Sequence, residues 1–346
     1  MVTLLNATDA NRDQWSAICN SIPLLPVNQT WEWGEAMRTF SGVQPIRLLA
    51  MRDGQPVGIL QAFEWKIGPI SLAITSGESG DGGGPVVLGD DKSIALKLIE
   101  ALYAESFKRR TLRTTIYGSP VFGEAMTDVE GFTMATKWTP IVELLSSVDD
   151  MLAQRIEQKA RNQISKSEKN GVTVFEGTRN DLAAYRLIQA SLVSKKHLNA
   201  THLNTLESLE HLWDALAPSK MIKLWLAKKG EGIVGGALIL YSGKQLLYRS
   251  GVLTLEGRDL YAGNAIQWAI IRDAIENGYT SYNMCGGTVD ESDPLFGITK
   301  FKLSFGGEMK PFRRYSASGN RVLKFLVYRL RRIFGKNEWF PLLIYP

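Results

Sequence analysis

The chain has 346 residues, 45% of them hydrophobic, which is enough for a real core and favours roughly two domains. A formal charge of +5 and a pI near 9.0 are compatible with polyanionic partners without requiring one. Cys19 and Cys285 are far apart, the first residues lack a basic segment followed by an apolar run, and no stretch reaches the roughly 20 apolar residues of a membrane span. Composition therefore argues against a disulfide scaffold, a secretory leader and a transmembrane protein, and sets a cytoplasmic expectation.

In chain order, "LAMRDGQPVGIL" from Leu49 reads as strand, polar turn, strand. The glycine run "SGESGDGGGP" (Ser76 to Pro85) follows, then a helix "KSIALKLIEALYAESFKRR" and a strand "RTTIYG". The same order returns with "LAKKGEGIVGGA" from Leu226, a helix "GNAIQWAIIRDAIENG" and a strand "TSYNMCGG". Val57-Gly58 matches Val234-Gly235 without gaps, and basic residues fill both turns (Arg52; Lys228 and Lys229). Ala265, Trp268, Ala269, Ile271 and Ile275 keep a helical period, with Gly278 as its stop. The copies lie about 170 residues apart, too far for a solenoid. The pattern predicts two copies of one mixed α/β domain, divided near residues 140 to 148. Chance recurrence of a common order of elements is the alternative.

Few residues look chemical. The glycine run lacks a following Gly-Lys-Ser/Thr, so no P-loop is expected. His197 and His202 lie five apart, off the spacing of a helical metal pair, and His211 stands by itself, so no metal site is expected. No serine sits in a nucleophile-elbow sequence, and Cys285, ending a strand, reads as an inert buried thiol. Arg161, Ser165 and Lys169 share one helical face, suited either to a phosphate or to plain solvent. In "YAGNAIQWAI", Gly263 and Ala265 sit at a helix start. Small residues there let backbone N–H groups approach a phosphate, although ordinary turn chemistry explains them equally.

The segment "FGITKFKLSFGG" (Phe296 to Gly307) reads as a short helix with glycines near both ends. Lys300 and Lys302 then point about 200° apart, so they cannot line one pocket. Phe301 and Phe305 share a face that should be buried, and Lys302 borders it. From the pattern alone, Lys302 is a lysine whose ammonium snorkels to water. Last comes "RVLKFLVYRLRRIFGK" (Arg321 to Lys336), with six basic residues and no acidic ones. Its apolar arc (Val322, Phe325, Leu326, Ile333) makes it a basic amphipathic helix, suited to an anionic membrane surface or to docking on its own domain.

Four stretches together resemble a known family. "GPVV" (Gly84 to Val87), "ARNQISKSEKNGVTV" (Ala160 to Val174), "AIENGYTSYNMCGG" and "FGITKFKLSFGGE" occur in the order found in the FemAB-like family of peptidoglycan bridge-forming aminoacyltransferases. The resemblance implies an α/β (α+β) fold of two tandem GNAT-like domains, each a mixed, mostly antiparallel sheet flanked by helices. It places them at 1–144 and 145–315, the second carrying the catalytic motif, with a basic tail at 316–346. It implies transfer of an aminoacyl group from aminoacyl-tRNA to an amine on a nucleotide- or lipid-linked cell-envelope precursor. No metal and no cofactor besides the donor are implied. More distant relatives use acyl-CoA.

By position the resemblance makes Phe301 and Lys302 catalytic and Arg161 a substrate contact. Tyr261, Gly263 and Ala265 would seat the donor or a diphosphate, and Trp33 and Arg38, beside Trp31, lie where the first domain meets the precursor. Many relatives have Tyr-Asp where this chain has Tyr282-Asn283, so that carboxylate is not available here as a base. A helical-hairpin insertion of some members is also missing. Two rival readings remain: an acyl-CoA-dependent N-acyltransferase for an envelope polysaccharide sugar, and a non-catalytic envelope-assembly factor. A lipid-linked acceptor would place the protein peripherally on the inner membrane face.

Overall fold

A computed structural model describes residues 1–41, 43–77, 82–119, 129–196 and 205–319. The basic tail Arg321–Lys336, His197 and His202 lie outside the described residues. The chain forms two compact units, Met1–Lys137 together with the segment from Pro311, and Trp138–Lys310. In chain order the first begins with β1 (Val2–Asn6), α1 (Arg12–Ser21), α2 (Trp31–Ser41), β2 (Gln44–Arg52), β3 (Gln55–Ile67) and β4 (Ile70–Thr75). It continues with β5 (Val86–Val87), α3 (Lys92–Lys108) and β6 (Arg113–Tyr117). The chain leaves this unit within β7 (Thr133–Glu143) and runs through α4 (Val148–Asp150), α5 (Gln158–Lys169), β8 (Val172–Gly177), α6 (Leu182–Lys196) and α7 (Leu206–Leu216). Then come β9 (Ile222–Lys229), β10 (Gly232–Ser242), β11 (Gln245–Leu253), α8 (Leu255–Asp259), α9 (Ala262–Glu276), β12 (Ser281–Asn283) and α10 (Phe296–Leu303). Within β13 (Gly307–Ser318) the chain returns to the first unit.

In the first unit the strands lie in the order β1-β2-β3-β4-β6-β13, with β5 against β3. All pairs are antiparallel except β4 with β6, which α3 connects in parallel. One face carries α3 over Ile46, Leu48, Leu60, Ile74 and Ile116; the other buries Trp15, Ile18 and Trp31 from α1 and α2 against Leu49 and Ile59. The alternation Leu48/Leu49 and Ile59/Leu60 feeds both layers, as the two-residue period of a strand requires. In the second unit the order is β7-β12-β11-β10-β9-β8. Again all pairs are antiparallel except β11 with β12, which α9 connects.

The units repeat one design: antiparallel hairpin, third strand, helix, parallel strand. The repeat extends to register, since Ala50 faces Gly58 and Ala227 faces Gly235. Each ladder slips beside that pair, at Val57 and at Val234, so the Val-Gly matches mark equivalent β-bulges. Neither position leaves room for a side chain. A Cβ on Gly58 would lie 3.2 Å from Ile94 of α3, and one on Gly235 would lie 2.5 Å from Leu253 and 3.4 Å from Ile266 of α9. Gly58 is crowded by α3 and by Val87 of β5, whereas Gly235 is crowded chiefly by Leu253 of the neighbouring β11.

Two expectations shift. The units divide at 137/138 rather than 144/145, inside β7, because its later residues pair with β12. Residues 311–315 leave the second domain and join the first, because Arg314–Ser318 pairs with β6.

Candidate active site

The second unit contains a wedge between two parallel strands. β11 and β12 pair only from Gln245–Leu247 against Ser281–Asn283. Beyond Leu247 they part. β11 runs on to Leu253 with a bulge against β10 at Arg249, while the chain after β12 turns away through Cys285 and Gly286. Two parallel strands that separate in this way open a crevice at their carboxyl ends, the usual ligand position in such sheets.

Lys302 of α10 reaches this turn. It is buried, with only 8% of its surface exposed. Its Nζ donates to the carbonyl of Gly286 at 2.8 Å and to the carbonyl of Cys285, and lies 5.9 Å from the ring centroid of Tyr248 on β11. Burial lowers its pKa from the ordinary lysine value, and Cys285 beside it pulls the value back up. The snorkelling lysine expected from the pattern is thus replaced by a lysine held at two carbonyls. Gly286 is exposed and Cys285 half-buried, so the ammonium lies just under the surface. By contrast Lys300 is exposed, stacked 4.8 Å from the Phe296 ring.

Phe301 joins α10 to the start of α9. Its ring packs edge-on to the buried Phe305 at 5.3 Å, and a Cβ on Gly263 would lie 3.6 Å from it and 3.0 Å from Leu253. Gly263 therefore keeps the first turn of α9 open beside Phe301. Tyr261 caps that turn in the left-handed region at φ 56°, and Ala265 packs half-buried on the core. A Gly263→Val enzyme is expected to raise the KM of the phosphate-bearing substrate and to lose about 1–3 kcal/mol through overpacking against Leu253 and Phe301. KM values measured well below the melting temperature check this. If every phosphate-bearing substrate keeps its KM, Gly263 is only a turn residue.

Not every expected residue lies here. Arg161 caps an irregular turn: its Nη1 donates to the carbonyls of Leu152 (3.2 Å), Ala153 (3.0 Å) and Ile156 (2.7 Å). That nitrogen is committed to backbone instead of to a phosphate. Trp33 and Arg38 belong to the first unit; Trp33 is buried, and Arg38 is exposed and paired with Glu35. Other residues escaped notice. Lys166 of α5 sits 5.9 Å from the Tyr261 ring, while Asn264 of α9 donates to Gln163 of α5 at 3.2 Å, tying α5 to the start of α9. Behind Lys302, the Tyr282 hydroxyl donates to Gln267 at 2.8 Å, Gln267 also bonds Tyr248, and burial raises the pKa of both tyrosines. Nothing local signals Lys166, which a helix places about 140° around from Arg161, or Tyr248. Among the described residues no group of three or more His, Cys, Asp or Glu could hold a metal.

Residues 154–293 match the acetyltransferase (GNAT) domain family. No curated protein matches the sequence significantly. Among solved structures, FemX aligns over 94% of this chain and 99% of its own at 17% identity, with a TM-score of 0.73. A C-terminal domain from Agrobacterium fabrum, described as that of a lysylphosphatidylglycerol synthetase, aligns over 94% and 97% at 11% identity, TM-score 0.60. A tandem GNAT protein from the clavulanic acid biosynthesis pathway aligns over 92% and 99% at 10% identity, TM-score 0.51. At such identities the likeness to these structures is one of fold, and that fold is the tandem GNAT arrangement.

Proposed function

We propose that this GNAT-fold acyltransferase forms an amide on an amine of a cell-envelope precursor, taking the aminoacyl group from aminoacyl-tRNA as FemAB-like enzymes do. The buried Lys302 ammonium at the mouth of the β11/β12 wedge carries the reading. Its motif, Phe301-Lys302, is the one that resembles the catalytic pair of that family. The fold likeness to FemX, and to a domain named for a lysylphosphatidylglycerol synthetase, supports an envelope acceptor.

The geometry suits aminolysis of an ester. The acceptor amine attacks the acyl carbonyl, a C–N bond forms, and the carbonyl oxygen gains negative charge. Lys302 spends two N–H groups on the Cys285 and Gly286 carbonyls and can donate its third to that oxygen. Collapse breaks the C–O bond to the tRNA ribose, whose oxygen takes up the proton shed by the amine. Orientation within the wedge supplies the rest. Asn283 is an amide, so no carboxylate base is invoked at that position.

The acetyltransferase domain match favours an acyl-CoA donor in a second reading, whose acceptor would be an amine on an envelope polysaccharide sugar. There the sugar amine forms the C–N bond, the thioester C–S bond breaks, and CoA leaves with its sulfur taking up the proton shed by the amine. A screen with radiolabelled aminoacyl-tRNAs, acetyl-CoA and longer acyl-CoAs separates the two. Transfer from aminoacyl-tRNA to a nucleotide- or lipid-linked precursor is expected, and transfer from acyl-CoA alone overturns the first reading. No described helix is long and apolar enough to cross a membrane. Peripheral contact through the basic segment Arg321–Lys336 belongs to the same proposal, and co-sedimentation with anionic vesicles should fall steeply as salt rises.

A further inference from the structure

Lys302 owes its place to a turn that is unfavourable by itself. Its two acceptors belong to consecutive residues, Cys285 at φ 52° and Gly286 at φ 50°, both left-handed. Glycine adopts that region freely, whereas a cysteine there costs about 1–2 kcal/mol. Something must hold the turn, and one buried side-chain oxygen does so. Asn283 Oδ1 accepts the N–H of Cys285 at 2.9 Å and the hydroxyl of Thr139 at 2.6 Å. Both side chains lie in the interior, Asn283 2% exposed and Thr139 fully buried. Thr139 is held in turn by the strand pairing around it: β7 pairs with β12 at Ile141–Asn283, Met284 N–H donates to the Pro140 carbonyl at 2.9 Å, and Trp138 bridges Gly287. The far side of the loop is fixed to α10 itself, where buried Thr299 accepts the N–H of Thr288 at 3.1 Å.

We propose that Asn283 and Thr139 are positioning residues for the transfer step: through the Cys285–Gly286 turn they set where the Lys302 ammonium points. The proposal rests on Lys302 facing the acyl oxygen. A plain structural role would stabilise the loop without aiming the lysine. Two features favour aiming. The same carbonyls that the turn orients are the ones Lys302 uses, and both contacts on Asn283 are to an acceptor oxygen. A carboxylate oxygen would accept them equally, so Asn283→Asp keeps both contacts and changes only the charge beside the turn. The titratable groups facing Lys302 are Cys285 in the turn and Tyr248 on β11. An acidic group at 283 would be the nearest addition of negative charge.

The test uses the full chain with whichever donor the wild type accepts. Thr139→Val keeps the side-chain shape and removes the hydroxyl. It is expected to lower kcat about tenfold, part of the roughly 10²-fold that a misplacement near 1 Å costs, with KM values little changed. Thr139→Ser should restore kcat. Asn283→Leu loses both contacts and should lose more turnover than Asn283→Asp. In Asn283→Asp the alkaline limb of the kcat profile should move to higher pH. Peptide-resolved labelling of Lys302 with an amine-reactive reagent across pH should show the same upward move without any substrate. Full kcat in Thr139→Val, a loss seen only in KM or only in melting temperature, or a Lys302 labelling profile unmoved in Asn283→Asp overturns the proposal. The labelling experiment needs no donor, so a wrong donor assignment leaves it intact, and its failure leaves the donor screen intact.

Discussion

Lys302→Ala is expected to lower turnover at least about 10²-fold while the protein stays folded, the loss typical of removing one oxyanion-stabilising donor. The fold should survive because the two carbonyls left behind are not deep: Gly286 is exposed and Cys285 half-buried, so water can replace the ammonium. Lys302→Met, which keeps most of the buried stem, separates packing from charge and should lose the same turnover. Lys302→Arg should recover only part, since a planar guanidinium cannot meet two carbonyls and a substrate oxygen as a compact ammonium does. Lys300→Ala should matter little, because that side chain is exposed on the Phe296 ring. Normal turnover in Lys302→Met on the true substrates would sink the assignment.

Lys302 also has a pH signature. Its lowered pKa means that the active ammonium is lost at a pH where an ordinary lysine is still charged, so kcat should fall earlier on the alkaline side. Stability runs the other way. Between the lowered folded pKa and the ordinary unfolded one, the unfolded chain holds the proton and the folded chain does not, so stability rises with pH across that window. Below the window both states are protonated and the burial penalty is fully present. Lys302→Met should flatten that rise; denaturant titrations on either side of the window measure it.

How much of this was legible in the sequence depends on contact range. The tandem design was legible because Val57-Gly58 and Val234-Gly235 are local marks of equivalent bulges, one in each unit. Phe301 and Phe305 were legible because a helix places such a pair on one face. The burial of Lys302 was not, since its partners are carbonyls of residues 285 and 286, and a carbonyl has no signature in the sequence. The backbone role of Arg161 was equally hidden, its pattern suiting a phosphate while its Nη1 serves the carbonyls of residues 152, 153 and 156. The return of β13 to the first unit depends on a pairing with β6 nearly 200 residues earlier, which no local period reports.

The first unit conceals another buried cation, Arg47, and its removal should give the largest loss of stability. Of the two arginines in "QPIRLLAMR", Arg52 is exposed, yet Arg47 is only 8% exposed. Its Nε donates to Gln61 Oε1 at 2.8 Å, its Nη2 to Glu35 Oε1 at 2.8 Å and to the Trp31 carbonyl at 3.3 Å, and the guanidinium lies 3.7 Å from the Trp31 ring centroid. Burial lowers the Arg47 pKa, against which Glu35 holds it up. Gly34 makes room for the cluster, since a Cβ there would fall 2.2 Å from Gln61 Oε1 and 2.3 Å from Arg47 Nη2. Arg47→Ala removes one of the two cations on Glu35, strands Gln61 Oε1 and empties the space over Trp31. A stranded buried acceptor costs about 1–3 kcal/mol and loss of the stacked guanidinium about 2 kcal/mol more, which together should lower Tm by roughly 10 °C in a unit of this size. Arg38 is the contrast. It shares Glu35 but is exposed, so Arg38→Ala should cost at most about 1 kcal/mol. Should Arg47→Ala melt no lower than Arg38→Ala, the pairing of Glu35 with Arg47 is not what secures α2 to β2.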